Sequence, residues 1–221
     1  MRLHITPGLS AQEIRKNQNP MLERVLSVLR SEYALVNGDT TLSVVDHGCG
    51  QLRNVSTILT IARRLYVVDT EAQLSKKHLF YEHTLSVRDF VKKKWSDEDI
   101  CVLSSKEFEK GGVKADLIFS ICVLDAVPPK TRTAILRAAH RNLRRDGMLA
   151  IIVPRNDAWT MRRCTDSNTY ADGHIFERAK GCTFYKNWNT EALVRLINRN
   201  GFMIEKDLSV HRHACILCKK Q

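Results

Sequence analysis

The chain lacks any apolar run that could cross a bilayer. Stretches such as Leu149-Ala150-Ile151-Ile152-Val153 fall far short of the roughly 20 residues a spanning helix needs. There is no internal repeat, no low-complexity tract and no linker rich in Gly, Ser or Pro; of 221 residues only five are proline and ten glycine. That composition excludes collagen-like and disordered chains. Met1 to Gly8 carries no apolar stretch of the signal-peptide kind, so a soluble, cytoplasmic protein with no membrane attachment is expected. Seven cysteines are an odd number, and most sit in strand-like apolar runs. They read as reduced thiols rather than a secreted disulfide framework.

Acidic residues are scarce in one half. Residues 1–129 carry 17 Lys/Arg against 16 Asp/Glu, a balance of +1, whereas residues 130–221 carry 18 against 8, a balance of +10. The positive field belongs to the C-terminal part and suits an anionic partner such as nucleic acid, a phosphorylated substrate or an acidic surface. A merely soluble basic surface has the same signature.

Apolar runs and turn signals alternate along the chain. Ser10-Ala11-Gln12-Glu13 forms a capping box, and Asn19-Pro20 restarts a helix whose stripe is Met21, Leu22, Val25, Leu26 and Leu29. Short strands are expected at Leu42–Asp46, Leu65–Asp69, Ile100–Leu103, Asp116–Ser120 and Met148–Val153, with a helix after the first running to about Arg63. A helix from about Lys130 to Leu143 is expected to end with Gly147 as its cap. Thr190 is expected to cap a helix Glu191–Asn200 ended by Gly201, followed by strands near Phe202–Leu208 and His211–Leu217. Near-continuous apolar strands separated by helices imply an α/β fold: a seven-stranded, mostly parallel sheet with helices on both faces and an antiparallel C-terminal hairpin. Residues 1–38 read as an N-terminal helical segment, and 39–221 as one domain with a substrate-facing insertion at about 155–189.

In an open α/β sheet, ligands bind beyond the C-terminal ends of the strands. The first such end is Asp46-His47-Gly48-Cys49-Gly50, where two glycines permit a sharp turn and close approach to a ligand. A dinucleotide fingerprint needs a third glycine where this chain has Arg53, which argues against NAD. Asp46-x-Gly48-x-Gly50 instead resembles the first motif of class I S-adenosylmethionine-dependent methyltransferases, a Rossmann-like family. The resemblance continues in order through Asp69, 19 residues past Gly50, then Ala115–Val127, Leu143–Leu149 and Asn200-Gly201-Phe202. It covers about residues 40–220.

The resemblance implies S-adenosyl-L-methionine as cofactor and a set of contacts. Asp46, Gly48, Cys49 and Gly50 would line the methionine and ribose side. Asp69 would hold the ribose hydroxyls and Thr70 would sit beside the adenine. Ser104 or Ser105 would lie near the adenine amino group, and Ser120 and Ile121 would offer backbone to the methionine moiety. Two departures stand out: the family's frequent third glycine falls at Leu52, and serine replaces the usual adenine-side acid.

Methyl transfer from a sulfonium is an in-line displacement governed by positioning, so a strong acid–base signature is not required. The segment Ser120-Ile121-Cys122-Val123 lacks both the Asn/Asp-Pro-Pro-aromatic motif of exocyclic-amine enzymes and the Pro-Cys pair of cytosine C5 enzymes. Asp125 could orient an acceptor amine or hydroxyl, and His174 could act as a general base. Within 155–189, basic and aromatic residues interleave, and Arg155, Trp159, Arg162, Arg163, Tyr185 and Trp188 are candidate substrate contacts that suit base stacking plus phosphate neutralisation. A lid that covers the cofactor fits the same residues. His211, His213, Cys215 and Cys218 offer four potential zinc ligands, but one continuous strand places them awkwardly for a tetrahedral site, and no metal is expected. The leading expectation is a methyltransferase acting on nucleic acid, RNA before DNA, or on another anionic substrate. The alternatives are a small-molecule methyltransferase and a catalytically silent, methyltransferase-like subunit that binds RNA or protein.

Overall fold

A computed structural model describes residues 20–32, 42–80, 83–155, 158–179 and 181–221. The capping box at Ser10–Glu13 and the Asn19 cap lie outside the described residues. Pro20 does begin a helix, α1 (Pro20–Glu32). The strands that follow are β1 (Leu42–His47), β2 (Ala62–Asp69), β3 (His78–Phe80), β4 (His83–Leu85), β5 (Ile100–Ser104), β6 (Ala115–Ile121) and β7 (Leu143–Pro154). Between them run α2 (Val55–Ile58), α3 (Glu71–Ser75), α4 (Val87–Lys94), α5 (Ser105–Lys110) and α6 (Pro129–Asn142). The rest comprises α7 (Ala158–Met161), β8 (Thr169–Tyr170), β9 (Gly173–Arg178), β10 (Gly181–Tyr185), α8 (Thr190–Arg199), β11 (Phe202–Asp207) and β12 (His213–Lys220).

Seven strands form one sheet in the order β11-β12-β7-β6-β1-β2-β5. β1, β2, β5, β6 and β7 pair in parallel, whereas β12 runs antiparallel between β7 and β11. Alternation along each strand feeds two separate cores. Val44, Val67, Leu117, Phe119, Ile152 and Cys215 pack on one face with Leu22, Val25, Leu26 and Leu29 of α1. Val45, Val68, Ile118, Ile151 and Cys218 pack on the other with Leu136 of α6 and Leu193 and Ile197 of α8. The apolar stripe of α1 thus belongs to the main core. Cys215 and Cys218 are buried on opposite faces, which separates two of the four potential zinc ligands.

Several local expectations are corrected. The helix after β1 is a single turn rather than a run to Arg63, because the Thr60 hydroxyl donates to the Thr57 carbonyl at 2.8 Å and the chain joins the sheet at Ala62. Gly147 is not a helix cap. α6 ends at Asn142, whose amide donates to the carbonyls of Phe108 and Ala138 and accepts from the Val113 N–H. Gly147 lies inside β7, where a Cβ would sit 2.9 Å from Leu143 Cδ1 and 3.0 Å from the Ala115 carbonyl oxygen. The cap of α8 is Asn189, which accepts from the Ala192 N–H at 2.7 Å, and Thr190 is already helical. The hairpin strands are Phe202–Asp207 and His213–Lys220, with His211 outside the second.

Among its described residues the insertion carries secondary structure of its own. β8, β9 and β10 form a three-stranded antiparallel sheet, preceded by a 3₁₀ turn at Asp166–Asn168.

Candidate methyl-donor site

The parallel strands deliver Asp46, Asp69, Ser104 and Ser120 to one edge of the sheet, in neighbouring registers: His47 pairs with Ser120 and Asp69 with Ser104. The turn after β1 is tied to β2 by the N–H groups of Gly48 and Cys49, both donating to the Val68 carbonyl at 2.7 and 3.1 Å. Gly48 and Gly50 adopt φ of 81° and 54°, left-handed values that glycine adopts without strain. Leu52, at the family's third-glycine position, takes φ of 61° although it has a buried side chain.

Asp69 is oriented by backbone donors. Its Oδ2 accepts from the Gly50 N–H at 2.9 Å and its Oδ1 from the Thr70 N–H at 2.7 Å. A carboxylate has about four acceptor positions, so lone pairs remain for a diol. Burial raises its pKa against those two bonds. Thr70 caps α3 by accepting from the Gln73 N–H. Ser104 caps α5 in a reciprocal capping box with Glu107, and Ser105 is the first helical residue.

Asp46 differs from its neighbours. It is 1% exposed, and neither carboxylate oxygen has a hydrogen-bond partner among the described residues. Burial, with the charge of Asp69 adding to it, pushes its pKa up to about 7. Ser120 Oγ is also buried without a described partner, as is Nδ1 of His47, whose pKa burial lowers to about 4. Cys49 is buried, and desolvation pushes its thiol well up, so it stays protonated. Buried polar atoms are almost always satisfied in folded proteins. A cluster of exceptions at the C-terminal edge of an α/β sheet marks a place built to receive a polar ligand.

The loop after β6 covers this turn. Val123 packs on Gly48, Cys122 takes φ of 55° and donates its N–H to the Ile152 carbonyl, and Asp125 follows. Asp125 is 3% exposed, its Oδ1 has no described partner, and burial raises its pKa to about 7 against the pull of Arg132. The insertion reaches the same place: the Lys186 N–H donates to the Asp125 carbonyl at 2.8 Å.

The remaining sequence candidates are distributed differently. Arg155 donates to the Thr190 hydroxyl and its N–H to the Arg212 carbonyl, linking the end of β7 to α8 and the approach to β12. Trp159 lies in α7 and Arg162 is exposed just after it. The Arg163 guanidinium lies 5.3 Å from the Phe176 ring centre. Tyr185 pairs with His174 across β9 and β10. The His174 ring is engaged by Asn168 Oδ1 at 3.0 Å, and no described contact joins it to Asp46, Asp69 or Asp125. Phe176 and Phe184 are buried and Trp188 belongs to the core on the α6 and α8 face of the sheet, so none of these aromatics offers an open stacking face.

Two groups had no signal in the sequence. Arg132 lies inside α6 yet is 1% exposed. Its Nε donates to the Leu124 carbonyl, its Nη1 meets Asp172, and its guanidinium lies 5.2 and 4.9 Å from the Phe184 and Trp188 ring centres. Gln73 donates to the Gly50 carbonyl and also meets Nε2 of His78, whose Nδ1 meets Gln51. This buried chain braces the β1 turn from below. Cavities of about 430 and 380 Å³ lie elsewhere, at the opposite sheet edge and within the insertion; the candidate site is marked by unsatisfied buried atoms instead.

No protein-family model and no curated protein sequence matches the chain. Solved structures do. Magnesium protoporphyrin IX methyltransferase from Synechocystis PCC 6803, with bound SAH, superposes with a TM-score of 0.60 at 13% identity, covering 91% of this chain and 82% of that one. The 1,6-didemethyltoxoflavin-N1-methyltransferase of Burkholderia thailandensis, with its substrate and S-adenosylhomocysteine, gives 0.58 at 14%, covering 91% and 87%. Human N-acetylserotonin methyltransferase, in complex with SAM, gives 0.53 at 17%, covering 90% and 53%. The chain has the class I S-adenosylmethionine-dependent methyltransferase fold. No described helix is long and apolar enough to cross a membrane.

Proposed function

We propose that the chain is an S-adenosylmethionine-dependent methyltransferase that modifies an N–H or O–H acceptor presented beside Asp125. The observation that carries this reading is Asp46, a buried carboxylate with both oxygens unsatisfied next to a second, half-buried acid, Asp69. Two desolvated carboxylates are costly unless a cationic or hydrogen-bonding partner arrives. The cofactor, when bound, supplies a sulfonium-borne electrophilic methyl group together with an ammonium and a ribose diol. Asp46, Gly48 and Gly50 would face its amino-acid end, Asp69 the diol, Thr70, Ser104 and Ser105 the adenine side, and Ser120 and Ile121 the methionine backbone. Asp125 then takes up the acceptor's proton, a role its pKa of about 7 suits near neutral pH.

The test is calorimetric titration of S-adenosylhomocysteine into wild type and Asp69→Ala. Micromolar affinity, about 8 kcal/mol, that collapses in the variant is expected. No binding by folded wild type overturns the reading in favour of a silent, partner-binding subunit.

The acceptor class has two readings. The balance of +10 in residues 130–221 favours a nucleic-acid strand. The inward burial of Phe176, Phe184 and Trp188 removes the stacking face and favours a small molecule held under the insertion. Methyl acceptance by RNA, DNA and metabolite pools separates them. Incorporation into nucleic acid that weakens with salt supports the first, and incorporation into low-mass material supports the second.

A further inference from the structure

A polar cavity lies at the other end of the sheet from the methyl-donor site. It has a volume of about 430 Å³ and is lined by Arg137, His140, Arg141, Asn200 and Lys220. Topology explains how they meet. α6 and α8 both end at the edge where the parallel strands begin, and antiparallel β12 ends there as well. Arg137 and Arg141 are one helical turn apart, so they share a face of α6.

The pocket has fixed parts. His140 packs edge-on against Phe202, with ring centres 5.3 Å apart, and a Cβ on Gly201 would lie 3.1 Å from its Nε2. The Arg141 guanidinium is anchored on the Glu109 carbonyl. The Asn200 amide is held by the Leu196 carbonyl at 2.8 Å. Around this floor Arg137 and Lys220 stand as freer arms.

Charge pairing sets the pocket apart from its surroundings. Arg144 pairs with Asp116, Lys219 with Glu205, Arg195 with Glu191 and Lys206 with Glu32. Among the described residues no carboxylate pairs with Arg137, Arg141 or Lys220, and the cavity lining contains no acid. The two helix ends contribute about half a negative charge each, so three full cations leave the pocket positive. Arg145, exposed near the start of β7, and Arg199, the last residue of α8, extend the positive edge.

We propose that this pocket is an anion-docking site that holds phosphates of a nucleic-acid strand, at the sheet edge opposite the methyl-donor site. An exposed pair between one cation and one phosphate is weak, so a lone anion gains little at this site. A strand presenting successive phosphates gains from each contact and from the counterions released. The strands that separate the two edges are about 20 Å long, as for the seven residues of β6, so the docking site and the methyl-donor site are distinct surfaces. The site names a partner class for the proposed enzyme, yet the docking itself does not depend on methyl-donor binding.

The experiment measures binding of a fluorescein-labelled single-stranded RNA, and its DNA counterpart, by fluorescence anisotropy across a salt series. Wild type is compared with Arg137→Gln/Lys220→Gln, and with Arg195→Gln as an exposed charge change on α8 outside the pocket. The pocket variant is expected to bind at least tenfold more weakly, and its log K against log salt slope is expected to flatten by about 1.4, two contacts at roughly 0.7 each. Arg195→Gln is expected to match wild type. Thermal melts and S-adenosylhomocysteine titration of the pocket variant are expected to be unchanged, which separates failure of the docking site from failure of the methyl-donor site. Equal affinity and slope for wild type and the pocket variant overturn the proposal. So does inorganic phosphate binding to the pocket with no loss of RNA binding in the variant, an outcome that makes it a small-anion site.

Discussion

Val123 closes over Gly48: a Cβ on Gly48 would lie 2.3 Å from Val123 Cγ2. The first and fourth parallel strands therefore meet through their loops at the point where the donor is expected to lie. Gly48→Ala is expected to lower S-adenosylhomocysteine affinity at least tenfold, because the new methyl group collides with Val123 and φ is 81°. Adding Val123→Ala to that variant is expected to restore part of the loss by removing the collision while the backbone strain persists. Titration calorimetry on the four proteins of this cycle gives the coupling directly. Full additivity would show that the collision is not what matters.

Asp46 makes stability depend on pH in an identifiable direction. Its pKa rises from the ordinary 3.8 to about 7 on folding, so between those values the folded state binds the extra proton. Stability then falls as pH climbs through that window, and the full cost stands above about pH 7. Asp46→Asn is expected to be more stable than wild type at pH 8, by on the order of 4 kcal/mol, since each tenfold change in proton affinity corresponds to about 1.4 kcal/mol. The gain is expected to vanish near pH 4. His47, lowered to about 4, slopes the other way in both proteins and cancels from the difference. Urea unfolding at the two pH values measures it; a pH-independent difference would rule out a buried charge at Asp46.

Leu52 holds a left-handed backbone with a buried side chain. Truncation to alanine loses the packing and keeps the strain, whereas glycine loses the packing and releases it. Leu52→Gly is expected to be more stable than Leu52→Ala by roughly 1 kcal/mol, the reverse of the usual order of these residues. Denaturant midpoints of the two variants decide it.

Much of the architecture could be read directly. Val44-Val45, Val67-Val68 and Leu149–Val153 are apolar on both sheet faces, which only a strand covered on both sides requires. Asp46, Gly48, Gly50 and Asp69 were legible because their spacing reflects a turn and a strand end. The small sheet of the insertion was not, because Thr169-Tyr170 is too short to show alternation and its pairing depends on a turn with Ala171 at φ of 53°. Gly147 misled because a glycine after a helix reads as a cap, whereas here it admits the Ala115 carbonyl. Asn189 and Thr190 are both capping residues, and sequence does not separate adjacent candidates. Arg132 was invisible because a basic residue inside a helix ordinarily faces water.

Arg132 also makes Asp172 a structural residue. The guanidinium is almost fully buried and its charge is met by Asp172 across the insertion. Asp172→Ala is expected to destabilise by about 2 kcal/mol, since the buried guanidinium loses its half-exposed hydrogen-bonding partner and keeps only the charge of Asp125. Arg132→Leu combined with Asp172→Ala is expected to cost less than Asp172→Ala alone. A double-mutant cycle by thermal unfolding checks the ordering.

Asn142 binds three elements through one side chain, joining the end of α5, the approach to β6 and the body of α6. Loss of this one side chain removes all three attachments at once. Asn142→Ala is therefore expected to raise hydrogen exchange in α5, at the start of β6 and in α6 together. The loop carrying Val123 and Asp125 connects β6 to α6, so both of its stems run in elements that Asn142 helps to hold.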